Sequence, residues 1–148
     1  MGLTIRDAQA ADAPAIALLL GQLGYPTEPS AVERRLERLR ILGDRIVVAD
    51  LEGHAVGLAH LQVAPALERD RPAAKVGALV VDDSYQGRGI GRALVQTMED
   101  EARLRGCELL FLTTAARRKD AHHFYVSVGL EETGKRFAKE LNVEQDAQ

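Results

Sequence analysis

Apolar residues recur along this chain with two periods that take turns, strand-like and then helix-like. Leu3-Thr4-Ile5-Arg6 reads as a short first strand. Ile16, Leu19, Leu20 and Leu23 form one helical stripe, with Asp12 as a cap and Pro14 in the first turn. Gly24 to Pro29 is a rigid loop, and Ser30 with Glu33 predicts a capping box for a second helix with stripe Val32, Leu36 and Leu39. Arg34, Arg35, Arg38 and Arg40 form its solvated face. Strands Arg45–Asp50 and Ala55–Val63, joined by Leu51-Glu52-Gly53-His54, carry a hairpin signature. The polar stretch Pro65–Pro72 is a loop, and the strand Val76–Val81 follows. Ile90, Leu94, Met98 and Ala102 sit at i, i+4 spacing in a helix from Ile90 to about Arg105 that Gly106 stops. Leu109–Leu112 is an apolar strand expected at the sheet centre, Asp120–Val128 a short helix ended by Gly129, and Lys135–Leu141 a last strand. The order predicts an α/β fold in a single domain over residues 1–148.

Composition narrows the class. Hydrophobic residues make up 46% and charged residues 28% of 148 residues, the balance of a soluble globular chain with a real core. A net charge of −3 gives no reason to expect nucleic acid or an anionic membrane as partner. The apolar run Ala13–Leu20 is too short to span a bilayer. The single cysteine, Cys107, excludes an internal disulfide and fits a reducing, cytoplasmic setting, where it reads as a small buried residue between helix and strand.

The densest signal is Gln86-Gly87-Arg88-Gly89-Ile90-Gly91, between a strand and a helix. Glycines let the backbone turn tightly and approach a ligand without Cβ obstruction. The helix start adds unpaired N–H groups and the positive end of its dipole, which suits a pyrophosphate. A nucleotide-binding P-loop needs Gly-Lys-Ser/Thr, whereas Gly91 is followed by Arg92-Ala93. A dinucleotide fingerprint needs G-x-G-x-x-G and an acidic end to the next strand, which here ends in Thr113-Thr114.

The Q-x-x-G-x-G pattern, with the strand before it from Val81, resembles the acetyl-coenzyme A motif of the GNAT superfamily of N-acetyltransferases. Asp120-Ala121-His122-His123-Phe124-Tyr125-Val126-Ser127-Val128-Gly129-Leu130 resembles that family's second motif, A-x-x-x-Y-x-x-x-G-F/L. The likeness is strong for residues 76–134 and topological for residues 1–70. Within the superfamily, the stretches Arg118–Tyr125 and Arg136–Leu141 look most like aminoalkylphosphonate acetyltransferases and related bacterial enzymes. The resemblance implies a mixed, twisted sheet of about six or seven strands flanked by about four helices.

It also implies acetyl-coenzyme A as cosubstrate, lying between the fourth and fifth strands. Cofactor contacts would come from Leu79, Val80, Val81, Gln86, Gly87, Arg88, Gly89, Ile90, Gly91 and Arg92. The amide of Leu79 would stabilise the oxyanion, and Tyr125 would protonate the leaving thiolate, since a phenol stays protonated at neutral pH. Taken alone, Tyr125 reads as packing; Ser127 and Thr113 are the other candidate donors. The family's fourth-strand glutamate position is Lys75, which leaves the base open among His60, His122 or His123, a base acting through ordered water, and no dedicated base. His60 is expected on one strand face with Val56 and Leu58. His122 and His123 are adjacent and share no helix face, so no metal site is expected.

Acceptor-side candidates are Tyr25, Glu28, His60, Arg71 and Arg136. Glu28 would favour a cationic amine, and the arginines an acid or phosphonate group. The expected reaction is direct acetyl transfer to a small-molecule amine in a ternary complex, by a homodimer paired through its C-terminal strands. A protein or peptide amine, and a non-catalytic acetyl-coenzyme A-binding regulator, are the alternatives.

Overall fold

The computed structural model describes residues 2–113 and 119–143; Thr114 and Arg118 lie outside them. Two units divide the chain, residues 1–112 and 113–148.

The first unit is a five-stranded sheet in sequence order: β1 (Leu3–Asp7), β2 (Arg45–Leu51), β3 (His54–Ala64), β4 (Ala73–Val81) and β5 (Leu109–Phe111). β1 to β4 are antiparallel, and β5 runs parallel to β4. Helices α1 (Ala13–Leu23) and α2 (Pro29–Ile41) cover one face, where Ile16, Leu19, Val32 and Leu36 pack with Val48, Leu58 and Val80. Helix α3 (Ile90–Leu104) covers the other, where Ile90, Leu94, Met98 and Ala102 pack with Val47, Ala59, Leu61 and Val76. The i, i+4 stripe read from the sequence is the buried face of α3. Gly57 lets it sit close: a Cβ there would stand 3.0 Å from Leu94 Cδ1 and 3.3 Å from Ile90 Cγ2.

Several local expectations hold. The hairpin turns on Glu52 and Gly53, both at positive φ, as the right-handed strand twist requires. Asp50 Oδ1 accepts the Gly53 N–H at 2.7 Å. Gly106, at φ +76°, ends α3.

Others are corrected. Asp12 stands at the N-cap of α1 but its side chain does not cap it. Its two oxygens are taken by the Arg6 guanidinium at 2.9 Å and by the Gln9 N–H at 2.7 Å. Arg6 also holds Asp50 at 2.9 Å, so one side chain ties β1 to α1 and to the hairpin. These charged hydrogen bonds hold both carboxyls below the usual carboxylate range. Ser30 is not a cap either: Pro29, with its fixed φ, opens α2 one residue earlier, behind Glu28.

Among the described residues β5 lies at the sheet edge, not the centre, and is half-buried to exposed. Five strands stand where six or seven were expected, because Lys135–Leu141 forms no strand among the described residues. Residues 130–143 take no regular structure, and Phe137, Leu141 and Val143 are exposed. His60 shares its face with Leu58 but not Val56, because the β2–β3 register shifts between Ala49 and Asp50 and Val56 turns to the α3 side.

In the second unit, α4 (Lys119–Ser127) ends as expected at Gly129, φ +97°, where the Leu130 N–H returns to the Tyr125 carbonyl at 3.0 Å.

Candidate active site

β4 is where the sheet opens. Its pairing with β5 ends at Lys75 and Phe111, so residues 76–81 pair only with β3 among the described residues. Backbone groups of successive strand residues point to opposite sides. The Asp82 N–H points to β3, donating to the Val56 carbonyl at 2.8 Å. By alternation Val80 points the same way, and Leu79 and Val81 point away, toward the open edge. Gln86 Nε2 confirms the direction by donating to the Val81 carbonyl at 3.3 Å. The open edge therefore presents the Leu79 amide and carbonyl and the Val81 amide to whatever lies beside it.

The strand runs directly into the glycine loop. A short 3₁₀ turn, Asp83–Tyr85, is anchored by Asp82, whose Oδ1 accepts the Ser84 N–H at 2.9 Å. Gly87 and Gly89 lie at φ +80° and +81°, a region that side-chain-bearing residues seldom occupy. A Cβ on either would meet nothing within 4 Å among the described residues, so they leave the space above the loop open. Gly89 is the N-cap of α3 and supplies no side-chain cap; its carbonyl accepts the first helical bond, from Ala93, at 3.1 Å. The amides of Ile90, Gly91 and Arg92 are thus first-turn donors without an intrahelical acceptor. With the α3 dipole behind them they suit a phosphate. The segment thus combines main-chain donors, two glycines at positive φ and a helix start without a side-chain cap.

The flanking cations differ. Arg88 stacks over the Tyr85 ring, 5.0 Å from its centroid, which fixes the guanidinium beside the loop. Arg92 is exposed on the first turn of α3.

The remaining candidates are less gathered. Tyr25 and Glu28 lie together on the α1–α2 loop, both exposed, where Thr27 Oγ1 donates to the Tyr25 carbonyl at 2.6 Å. Arg71 is exposed on the β3–β4 loop, and its N–H is tied to Glu108 Oε1 at 2.9 Å. Glu108 also holds Arg69 at 2.9 Å, and its carboxyl lies below its ordinary range chiefly because of the Arg71 amide. Arg136 and Tyr125 belong to the second unit, where Arg136 is exposed and Tyr125 half-buried, its ring edge-on to Phe124 at 5.8 Å. Cys107 packs against the α3-side core, and burial pushes its thiol up, opposite to what a nucleophile needs.

Sequence reasoning placed His60 but missed its partner. Asp44 Oδ2 lies 2.7 Å from His60 Nε2, and the Asp44 side chain is only 5% exposed. Asp44 sits in a turn after α2, and nothing in its local pattern pointed to a histidine two strands along. Among the described residues no group of acidic, histidine or cysteine side chains is arranged to hold a metal ion.

This architecture meets known proteins at several levels. A model of the "Acetyltransferase (GNAT) family" matches residues 9–130. An aminoalkylphosphonate N-acetyltransferase of Salmonella typhimurium is 36% identical over 89 residues, covering 60% of this chain and 58% of that protein. An aminoglycoside N(6')-acetyltransferase type 1 of Stenotrophomonas maltophilia is 30% identical over 135 residues, 88% of this chain and 87% of its own length. The crystal structure of a transcriptional regulator from Bacillus halodurans superposes with a TM-score of 0.86 at 25% identity, over 94% of this chain and 99% of that one. With a family match across most of its length and a relative aligned nearly end to end, this chain belongs to the acetyltransferase (GNAT) family.

Proposed function

We propose that this chain transfers an acetyl group from acetyl-coenzyme A to a primary amine of a small molecule, by direct attack within a ternary complex. The observation that carries the reading is the continuity of the open β4 edge with the glycine loop. A coenzyme A molecule is an amide chain ending in a pyrophosphate. The Leu79 and Val81 main chain matches the amide chain, and the donors from Gly87 to Arg92, with Arg88 and Arg92 beside them, match the pyrophosphate. The acetyl carbonyl lies against the Leu79 amide, where a developing oxyanion gains a hydrogen bond. Tyr125 donates the proton that the departing thiolate takes up, a role carried by its place in the A-x-x-x-Y-x-x-x-G pattern. The half-buried Cys107 thiol takes no part, so no acetyl-cysteine forms.

The two relatives named above are enzymes of small amines, an aminophosphonate and an aminoglycoside, which supports a small acceptor over a protein amine. The reading places residues 1–148 in one cytoplasmic catalytic domain that works as a homodimer. A panel of aminoalkylphosphonates, aminoglycosides and aminosugars, followed by release of free coenzyme A thiol, tests the reading. Turnover with one class and not with a protein lysine supports it.

The second reading, an acetyl-coenzyme A-binding regulator, draws on the likeness to the Bacillus halodurans regulator. Tight acetyl-coenzyme A binding with no turnover on any amine would favour it.

A further inference from the structure

The acetyl-transfer reading leaves one chemical position unfilled. An alkylamine is largely protonated near neutral pH and must lose a proton before it attacks. The fourth-strand position where many family members carry a glutamate is Lys75. The next strand over offers a different group. His60 on β3 pairs with Ala78 on β4, directly before Leu79. Between His60 and Leu61 the β3–β4 register slips, and Gly77 is the extra residue on β4. The His60 ring lies over that bulge: a Cβ on Gly77 would stand 2.6 Å from His60 Nδ1 and 3.1 Å from Cε1. Only glycine leaves the ring its place there. The bulge falls just past Lys75, where β4 loses its β5 partner and the open edge begins.

Asp44 completes the arrangement. A carboxylate only accepts hydrogen bonds, so Nε2 at 2.7 Å must carry the hydrogen. That fixes the tautomer with Nδ1 as the unprotonated, proton-accepting nitrogen. The His60 side chain is 19% exposed, enough to be reached, while Asp44 is shielded at 5%.

We infer that His60, oriented by Asp44, is the base that takes the proton from the acceptor amine; the inference rests on the acetyl-transfer reading above. Nδ1 takes one proton from the ammonium, and Asp44 holds the resulting imidazolium. The freed nitrogen lone pair forms the C–N bond, and the C–S bond breaks with its electron pair on sulfur. The thiolate takes the Tyr125 proton. The second amine proton restores the phenol, and the imidazolium returns its proton to solvent. Asp44 is a positioning residue, since it acts only through the ring.

Arg45, beside Asp44, is paired with Asp7 at 3.1 Å and Glu101 at 2.8 Å. From α3, Arg105 is bonded to Glu101 at 2.7 Å, and from α2, Arg40 donates to the Ala8 carbonyl at 3.0 Å. β4 carries no ionisable side chain between Lys75 and Asp82.

The test measures kcat and KM against pH, with a small primary amine, for the parent, His60→Gln and Asp44→Asn, alongside acetyl-coenzyme A affinity by calorimetry. His60→Gln is expected to lower kcat by about 10²-fold or more near neutral pH, within the range for a lost general base, with cofactor affinity unchanged. The deficit should shrink toward parity as pH approaches the amine's own pKa, about 10 for an alkylamine, because the amine then needs no base. Asp44→Asn should show a smaller deficit with the same pH trend. A deficit that is constant across pH, or turnover equal to the parent, overturns the inference. Should His60→Gln fail to fold, the pH trend of Asp44→Asn decides by the same criterion. A parent that binds no acetyl-coenzyme A overturns the transfer reading itself and this inference with it, a result no variant comparison can imitate.

Discussion

Gly89→Val separates what the glycine loop does for folding from what it does for the ligand. The residue sits at φ +81° as the N-cap of α3, with open space where a Cβ would go. The folding cost is therefore backbone strain alone, about 1–2 kcal/mol for an L-residue forced into the left-handed region. A domain stable by about 5–15 kcal/mol remains folded. At about 2–4 °C per kcal/mol for a chain of this size, Tm should fall by about 2–8 °C. Binding should suffer far more. In the proposed site the branched side chain fills the space through which a phosphate would reach the Ile90, Gly91 and Arg92 amides. Losing two hydrogen bonds to a charged group, at about 1.5–3 kcal/mol each, weakens affinity by about 10² to 10⁴-fold. Gly43→Val is the matched control, since Gly43 lies at φ +91°, also with nothing within 4 Å of a Cβ, but far along the chain at the end of α2. Thermal melts and calorimetry with acetyl-coenzyme A read both quantities. If Gly89→Val loses Tm as the control does yet binds acetyl-coenzyme A as tightly as the parent, the loop is only a turn and the site lies elsewhere.

Four more outcomes are expected. Tyr125→Phe keeps the ring against Phe124 and removes the donor, so turnover should fall by about 10²–10⁴-fold with cofactor affinity unchanged; near-parental turnover, with chemistry rate-limiting, would assign the proton to another group. Asp12→Asn should cost about 1.5–3 kcal/mol at neutral pH by weakening the charged bonds to Arg6. Because the folded carboxyl lies below its ordinary value of 3.8, that stability is fully present above about pH 4 and lost as pH falls through the folded value, so denaturant curves of parent and variant should converge in acid. Gly57→Ala should destabilise by about 1–3 kcal/mol through overpacking against Leu94, Ala49 and Ile90, as a thermal melt would register. Light scattering at micromolar concentration should give a dimer mass, and a monomer would remove the homodimer.

What could be read from the sequence was what local chemistry decides. Gly53 and Gly106 announced their turns because few other residues tolerate those backbone angles. The α3 stripe announced its buried face, and Gln86–Gly91 announced a glycine turn into a helix, because both rest on spacing within one or two turns. The misreadings all involve partners distant in sequence. Asp12 looked like a cap because a cap is a local signal; that Arg6 would claim its carboxylate depends on β1 lying beside α1. Val56 changed face through a bulge, which pattern reading steps over. The apolar run at Leu109 fitted a central strand equally well as an edge strand that pairs for three residues. The Asp44–His60 pair was out of reach for the same reason, joined by sheet order and by nothing in either residue's neighbourhood.

Under the proposed acetyl-transfer reading, helix α3 has two duties that cannot be separated. Its Leu94 and Met98 are among the most buried side chains of the α3-side core, and its first turn carries the amides offered to the ligand. A phosphate seated there is gripped by an element that the core itself clamps through Gly57. Ligand occupancy and rigidity of the hydrophobic interior are therefore one linked equilibrium. Acetyl-coenzyme A should slow amide exchange along the whole of α3, and core substitutions remote from the loop should be felt as changes in cofactor affinity before they are felt as unfolding.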